Sequence, residues 1–267
     1  MDEFDVQQYG LAMSSDETHV HPRAALAVDL AVFTVTDADL KVLLICRGEE
    51  PFAGCWALPG GHVEVKNEPE DQGEDLDVAA HRELEEETGL PAGSCHLEQL
   101  YTFGAPGRDP RGRVVSVGYL ALVRSSLAPH VNARDDAADA RWVSVNQLWE
   151  RGHIDWINSV LPLDGSDPAE PPTSCLAFDH PVILRMALAR LRGKIDYAPL
   201  AFDLVPEAFT VAELREVYEV VKGRDYNAAN FHRRFKRMLI DRVIQVAPGK
   251  RATGGRRALV YRFVKAS

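Results

Sequence analysis

An acidic segment with helical spacing constrains the fold of this 267-residue chain more than any other feature. Residues 76–88 consist mainly of Ala, Leu, Glu and Arg, which favour an α-helix, and Gly89 follows where glycine often ends one. On that helix Glu83 precedes Glu86 by three residues and Glu87 by four, so the three carboxylates share one face. Because like charges at this spacing repel each other, the segment predicts either a solvent-exposed acidic face or a site for a cation.

A hard divalent cation with oxygen ligands would relieve this repulsion. The alternative, an acidic helix face in contact with solvent, needs no ligand and is favoured by the charge pattern alone. This preference does not exclude a cation site, so both interpretations stay open.

Charge is divided unevenly between the two halves of the chain. The formal net charge is −10, but residues 176–267 contain 18 Lys and Arg against 9 Asp and Glu, whereas residues 1–175 contain 12 against 31. This asymmetry predicts two domains with different partners. We expect a flexible tail at 1–20, an acidic domain at 21–161, a linker rich in Pro, Asp and Gly at 162–174, and a basic domain at 175–267.

Composition excludes several classes of protein. The chain is 46% hydrophobic and 26% charged, which is ordinary for a globular protein and excludes collagen-like and disordered chains. No apolar run approaches the roughly 20 residues of a membrane helix, and the acidic N-terminus lacks the pattern of a secretory signal. The four cysteines form no CxxC pair, which favours reduced thiols and a cytoplasmic location, with no membrane partner.

The acidic half alternates predicted strands with a helix, which is typical of an α/β fold. A buried strand is predicted at residues 23–35, further strands at 41–47, 97–103, 114–123 and 141–145, and the helix at 76–88. The loop at 104–112 contains Arg108, Asp109 and Arg111. These side chains could contact a phosphate or a ribose, or they could pair with one another on the surface.

The basic half predicts three helices followed by a β-hairpin, the order of a winged helix-turn-helix. Helices are expected at 181–194, 211–222 and 227–240, and strands at 242–246 and 258–264. Thr210 and Glu213 form a capping box at the start of the second helix. The strands flank a glycine-rich basic hairpin, so this half predicts a DNA-binding domain.

The third helix of this half has two different faces. Phe231 and Phe235 belong to an apolar stripe, and Asn and Arg side chains lie opposite them. This arrangement suits a helix that reads the major groove of double-stranded DNA, with the hairpin beside the phosphates or in the minor groove; a solvated basic face is the alternative. The predicted DNA-binding residues are Asn227, Asn230, Arg233, Arg234, Lys236 and Arg237 on the helix, and Lys250, Arg251, Arg256 and Arg257 on the hairpin.

The segment Arg82-Glu83-Leu84-Glu85-Glu86-Glu87-Thr88-Gly89-Leu90 resembles the second half of the Nudix box. Gly60, Gly61 and Glu74 match the earlier positions of the box, and Arg82 would orient Glu74. Twelve residues separate Gly61 from Glu74, more than in the family pattern, which indicates an insertion within residues 65–72. Such an insertion precedes the helix and need not disturb its carboxylate face, although it could displace Gly61.

This resemblance implies an α/β/α sandwich around a mixed sheet. It also implies Mg²⁺-dependent hydrolysis of a nucleoside diphosphate linked to another group, with Mn²⁺ as the substitute ion. Mg²⁺ binds one or two carboxylates together with phosphate oxygens and water, and a bound metal ion can activate water for hydrolysis. Glu83, Glu86, Glu87 and the carbonyl of Gly61 resemble the metal ligands of the family, and Arg82, Glu86 and Glu87 resemble its catalytic residues. Whether the insertion permits hydrolysis stays open at the level of sequence.

A second resemblance covers about residues 23–264 and both halves in order. The loop at 103–111 and the segments 178–181, 197–202, 209–214, 230–234 and 261–263 resemble the NrtR regulators. The resemblance implies a dimeric repressor of NAD-biosynthesis and salvage genes with ADP-ribose or a related NAD metabolite as effector. Arg108, Asp109 and Arg111 are then ligand-binding candidates, and Trp56 and Phe103 could stack on adenine or belong to the core.

Two functions from different classes follow. The first is a repressor that binds operator DNA through the winged helix as a homodimer and senses an ADP-ribose-like ligand in the Nudix-like domain. The alternative is a Mg²⁺-dependent ADP-ribose pyrophosphatase with an appended DNA-binding domain. Mg²⁺-dependent release of AMP would discriminate between them, and the two functions do not exclude each other.

Overall fold

The computed structural model describes residues 24–65, 72–91, 93–128, 137–150, 176–241, 243–253 and 256–264. The predicted tail at 1–20, the linker at 162–174 and most of the insertion within 65–72 lie outside these residues. Among the helices described, none combines the length and the apolar character that crossing a membrane requires.

A seven-stranded mixed sheet forms the centre of the N-terminal half. Its strands are β1 (Ala25–Thr36), β2 (Asp39–Arg47), β3 (Trp56–Ala57), β4 (Gly60–His62), β5 (His96–Phe103), β6 (Val114–Leu122) and β7 (Ala137–Ser144). The order is β3-β2-β1-β6-β5, with β4 paired to β1 and β7 paired to β2. Strands β1 and β6 run parallel and the other pairs run antiparallel, which confirms the predicted α/β fold with a mixed sheet.

Residues alternate along β1 between two buried faces of the sheet. Leu30 and Val32 belong to the core shared with α1 (Leu76–Thr88). Ala31 and Phe33 belong to the opposite core, shared with α2 (Val145–Glu150) and α3 (His180–Lys194). Both faces are apolar and both need a helical layer, so a helix from the predicted second domain helps to complete the α/β/α sandwich. The predicted boundary near 175 stays a prediction.

Local sequence signals set both ends of α1. The Asp75 carboxylate accepts the N–H of Asp77 at 2.9 Å, which caps the first turn. Gly89 adopts a left-handed conformation with φ of 73° and ends the helix. The predicted helix over 76–88 is confirmed, and its carboxylate face is held at a fixed position on the sheet.

The C-terminal half continues with a 3₁₀ helix (Pro199–Asp203), α4 (Val211–Lys222), α5 (Ala228–Ile240), β8 (Ile244–Thr253) and β9 (Arg256–Phe263). The predicted capping box is present, because Glu213 N–H donates to Thr210 Oγ1 at 3.2 Å and Thr210 N–H donates to Glu213 Oε2 at 2.7 Å. The helices and the hairpin confirm the winged helix-turn-helix order. The strands extend further into the hairpin than predicted, and the 3₁₀ helix was not predicted.

Candidate ligand site and DNA interface

The Gly60–Gly61 pair lies directly over the carboxylates of α1. Pairing of β4 with β1 places Gly61 opposite Val28, and Gly60 N–H donates to Glu87 Oε2 at 2.8 Å. A Cβ atom at Gly61 would collide with the Glu83 carboxylate. Glycine at this position allows the close approach without a shift of the Glu83 side chain, and the Gly61 backbone lies beside the carboxylates.

Arg82 connects the carboxylates of this site. Its guanidinium donates to Glu74 at 2.5 and 3.1 Å, to Glu83 at 2.9 Å and to Glu86 at 2.8 Å. A further bond reaches the carbonyl of His62 at 3.1 Å. The predicted orientation of Glu74 by Arg82 is present, in a two-bond geometry that fixes direction as well as distance.

The insertion leaves this arrangement intact. Glu64 N–H donates to Glu74 Oε1 at 2.9 Å, and Glu74 N–H donates to the carbonyl of Glu64 at 3.1 Å. These two bonds bring the chain on either side of the insertion together. Glu74 and Gly61 therefore reach the same site as the helix carboxylates in spite of the longer connection.

Burial shifts the protonation of two of these carboxylates. It raises the pKa of Glu87 to about 8; the neighbouring charges of Glu83 and Asp29 act in the same direction, and the bond from Gly60 N–H opposes them. Burial also raises the pKa of Glu83, against the attraction of Arg82. Carboxylates that ionise reluctantly are stabilised in the charged form by a nearby cation.

The donor set fits a hard divalent cation in chemical kind, because it consists of carboxylate and carbonyl oxygens. Within the described part of the chain, however, no three acidic, His or Cys side chains are arranged as a metal site. The guanidinium of Arg82 lies among Glu74, Glu83 and Glu86 and neutralises them in this structure.

A cavity of about 370 Å³ opens beside the carboxylates, within the size range of small-molecule sites. It is lined by four arginines and by acidic side chains from α1, β1 and the 104–112 loop. The arginines are Arg47, Arg82, Arg108 and Arg111. Burial and the charge of Arg111 lower the pKa of Arg47, so an anion between these two guanidinium groups would be favourable.

The predicted ligand-binding residues divide into two groups. Arg108, Asp109 and Arg111 all line the cavity, although Arg111 also pairs with Asp109 at 2.7 Å, as in the surface-pair alternative. Trp56 and Phe103 are 2% and 7% exposed, belong to the core and are not among the residues that line the cavity. These two aromatic residues therefore lie in the core, which was the alternative to stacking on adenine.

Two cavity residues come from the segment before and at the start of α3, and no sequence pattern assigned them to the ligand site. Phe178 and His180 both line the cavity. The Phe178 ring lies 4.8 Å from Phe52 and 4.9 Å from the guanidinium of Arg47. The motif at 178–181 is visible in the sequence, but its contact with residues 27–111 arises only from the fold.

The exposed face of α5 carries the polar row predicted from the sequence. Phe231 and Phe235 are buried, and Asn230, Arg233, Lys236 and Arg237 are exposed on the same helix. Asn227 caps the helix by accepting the N–H groups of residues 229 and 230 at 3.1 Å. Arg233 donates to the side chain of Asn230, so the two groups are held together at the surface.

Two of the predicted DNA-binding arginines have partners within the winged helix. Arg234 bonds to Asp196 at 3.1 Å and lies 4.4 Å from the Tyr218 ring. Arg251 bonds to Glu213 at 2.5 Å. Both arginine side chains are therefore already paired with acidic residues of the protein. Arg257 is exposed on β9, whereas the side chains of Lys250 and Arg256 lie outside the described part of the structure.

An α/β sandwich with a Nudix-type glycine and carboxylate site, joined to a winged helix with a basic exposed face, defines the class of the protein. The NUDIX domain family matches residues 25–163, and the NrtR DNA-binding winged helix domain matches residues 201–263. The chain belongs to the NrtR family.

Similarity extends over most of the chain. The "ADPR responsive transcriptional repressor NtrR" of Acinetobacter baylyi is 34% identical over 243 residues, which cover 91% of this chain and 83% of that protein. The Shewanella oneidensis NrtR crystallised with a 27mer DNA is 30% identical, has a TM-score of 0.69 and matches over 90% of this chain and 93% of its own. The "ADP-ribose pyrophosphatase" of Methanocaldococcus jannaschii is 39% identical over 130 residues, 49% of this chain and 66% of that protein.

Proposed function

We propose that this protein is a transcriptional repressor that binds operator DNA through α5 and the wing and senses ADP-ribose, or a related NAD-derived nucleotide, in the cavity. The exposed row Asn230, Arg233, Lys236 and Arg237, backed by buried aromatic rings, carries the proposal. The cavity with its four arginines suits a diphosphate. The names of the relatives from A. baylyi and S. oneidensis, which refer to ADPR and to DNA, support both parts.

The targets that we propose are genes of NAD biosynthesis and salvage, and the DNA-binding unit is a homodimer. Two winged helices related by a two-fold axis would read a palindromic operator with half-sites about one helical turn apart. Ligand would release DNA only if it binds more tightly to a geometry that does not bind DNA. These assignments rest on the resemblance to the family.

A gel shift tests this proposal directly. The full chain is titrated onto promoter DNA of NAD-biosynthesis genes with and without ADP-ribose and Mg²⁺, and AMP is assayed in the same tube. We expect a specific shift that ADP-ribose changes. No specific shift on any of these promoters, or a shift that ADP-ribose leaves unchanged at saturating concentration, would contradict the repressor proposal.

Hydrolysis of ADP-ribose is the second candidate function. The observation that favours it is the intact bond network of Glu74, Arg82 and Glu86 behind the insertion. Glu83, Glu86, Glu87 and the Gly61 carbonyl would hold Mg²⁺ or Mn²⁺, which supplies charge neutralisation of the diphosphate and an activated water. The same assay then detects Mg²⁺-dependent AMP in the wild type and none in Glu86→Gln. If the wild type shows no turnover above buffer, hydrolysis is rejected and ligand binding is the function that stays proposed for this site.

Cation binding is expected to depend on pH through Glu87. Its raised pKa of about 8 means that the folded, metal-free protein loses stability as pH rises from the ordinary value of 4.5 toward 8. A divalent cation binds the ionised form, so the Tm increase caused by Mg²⁺ should grow between pH 6 and about 8.5. Thermal melts with and without Mg²⁺ measure this. Glu87→Gln should flatten the pH dependence of this Tm increase. An equal Tm increase at pH 6 and at about pH 8.5 in the wild type would contradict the role of Glu87.

A further inference from the structure

A junction between the two halves of the protein borders the ligand cavity. The junction consists of Asp29 on β1, Arg108 on the 104–112 loop, and Phe178, Asp179 and His180 at the start of α3, and all of these except Asp179 line the cavity. The inference drawn from it rests on the proposed function, because it concerns how a ligand in this cavity reaches the DNA-binding domain.

Arg108 is shared between carboxylates of the two halves. Its side chain is 5% exposed and bonds to Asp29 Oδ2 at 2.9 Å. It also forms two bonds to Asp179, at 2.6 and 3.0 Å. Asp179 directly precedes α3, but its side chain caps no N–H group of that helix. One buried guanidinium therefore holds a strand of the Nudix sheet to the residue that directly precedes α3.

His180 completes the junction from the same side. Leu58 N–H donates to His180 Nδ1 at 2.8 Å, so the ring proton is on Nε2, which lies 3.2 Å from Asp29 Oδ1. Ser116 also donates to Asp29, at 2.6 Å. Burial alone would raise the pKa of Asp29, but His180, Arg108 and Ser116 hold it well below its ordinary value. Asp29 therefore stays ionised, with Arg108, His180 and Ser116 as its partners.

The backbone of Phe178 is held in an unfavourable conformation at the same place. Its φ is 54°, in the left-handed region that bulky residues rarely adopt. Such a conformation persists only where the surroundings fix it, and it is common at ligand sites. Contacts of the ring with Phe52, His180 and Arg47 fix it here. Loss of these contacts would allow Phe178 to return to a backbone conformation with negative φ.

The junction is connected to the rest of the winged helix through α3. The Arg192 side chain donates to the carbonyl of Val221 at 2.9 Å, and Lys222 donates to the carbonyl of Arg192 at 3.0 Å. Buried residues of α3 and α4 belong to one core. A displacement at the first turn of α3 would therefore reach α4, which packs against α5.

We propose that the diphosphate of a ligand in the cavity competes with Asp29 and Asp179 for Arg108, and that this exchange couples ligand binding to DNA binding. Phosphate oxygens are acceptors for the same N–H groups of Arg108, and their charge repels the two aspartates. Transfer of Arg108 to the ligand leaves Asp179 without its partner and weakens the attachment of α3. A buried ion pair that loses one partner is strongly destabilised. Arg108 therefore binds either the two aspartates or the diphosphate of the ligand.

Asp179→Asn in the full chain tests the proposal. Because Asn competes more weakly for Arg108, ADP-ribose should bind more tightly in calorimetry. The ratio of operator Kd values with and without saturating ADP-ribose should shrink by roughly fivefold or more. By reciprocity, the ligand affinity measured with and without DNA must change by the same ratio. The matched control is Glu98→Gln, which removes the negative charge that pairs with Arg190 and Lys194 between α3 and β5 but lies outside the cavity.

Asp179→Glu keeps the charge and should retain most of the coupling, which separates the effect of charge from a packing defect. Equal losses in Asp179→Asn and Asp179→Glu, or a change in Asp179→Asn no larger than that in Glu98→Gln, would overturn the junction proposal alone. A wild-type protein that binds no ADP-ribose would overturn the proposed function together with the junction. These outcomes are distinguished in one set of titrations.

Discussion

Arg233→Glu is expected to weaken binding to the operator by roughly 100-fold or more at fixed salt. Loss of an arginine that reads a base costs about 1–3 kcal/mol, so Arg233→Ala should show this smaller effect. A carboxylate at the same position adds repulsion from the phosphates. Arg233 is exposed on α5 beside Asn230, and the substitution leaves the buried side of the helix untouched.

Fluorescence anisotropy of labelled operator DNA across a salt series measures both the affinity and the number of phosphates that the protein neutralises. The slope of log K against log salt should fall in magnitude by about one for each phosphate that the variant no longer neutralises. Arg185→Glu is the matched control, because Arg185 is exposed on α3 and the charge change is identical. An equal loss of affinity in both variants would assign the effect to overall charge and contradict a specific role for the α5 face. Unchanged affinity in Arg233→Ala would reject base reading by this side chain.

Elements with local signals were predictable from the sequence. The bounds of α1 follow from Asp75, Gly89 and the residues between them, and the start of α4 follows from the Thr210–Glu213 capping box. These signals act within a few residues and require no knowledge of the fold. The same holds for the apolar stripe of α5, because its spacing alone identifies the buried side.

Contacts between distant residues were not predictable in this way. The bond from Leu58 to His180 joins residues 122 positions apart, and the bond from Arg108 to Asp179 joins residues 71 apart. No periodicity or spacing indicates such pairs. The short strands β3 and β4 pose the same problem, since two or three residues adopt strand geometry only because β2 and β1 provide partners. The junction that borders the cavity was therefore visible only in the structure.

Phe235→Ala is expected to lower the free energy of unfolding by about 3–5 kcal/mol, the cost of deleting a buried phenylalanine ring. Phe235 is 1% exposed, and its ring lies 4.7 Å from that of Tyr261 on β9 in an edge-to-face arrangement. The ring thus holds α5 on the wing. A domain is stable by only about 5–15 kcal/mol, so the variant should lose DNA binding at temperatures that the wild type tolerates.

Urea unfolding followed by circular dichroism and by tryptophan fluorescence measures the loss of stability and shows whether it extends to the Nudix half. All four tryptophans are in residues 56–156, so their fluorescence reports only on the Nudix half. One buried core runs from Phe33 on β1 through α3 to Phe235, and both signals should therefore shift to lower urea together. Ile240→Ala, at a residue of the same helix that is 79% exposed, should change stability by no more than about 0.5 kcal/mol. Equal effects of the two substitutions would contradict the packing of α5. A circular dichroism transition that moves while the fluorescence transition stays in place would contradict the continuous core, because the winged helix would then unfold without the sheet to which α3 attaches it.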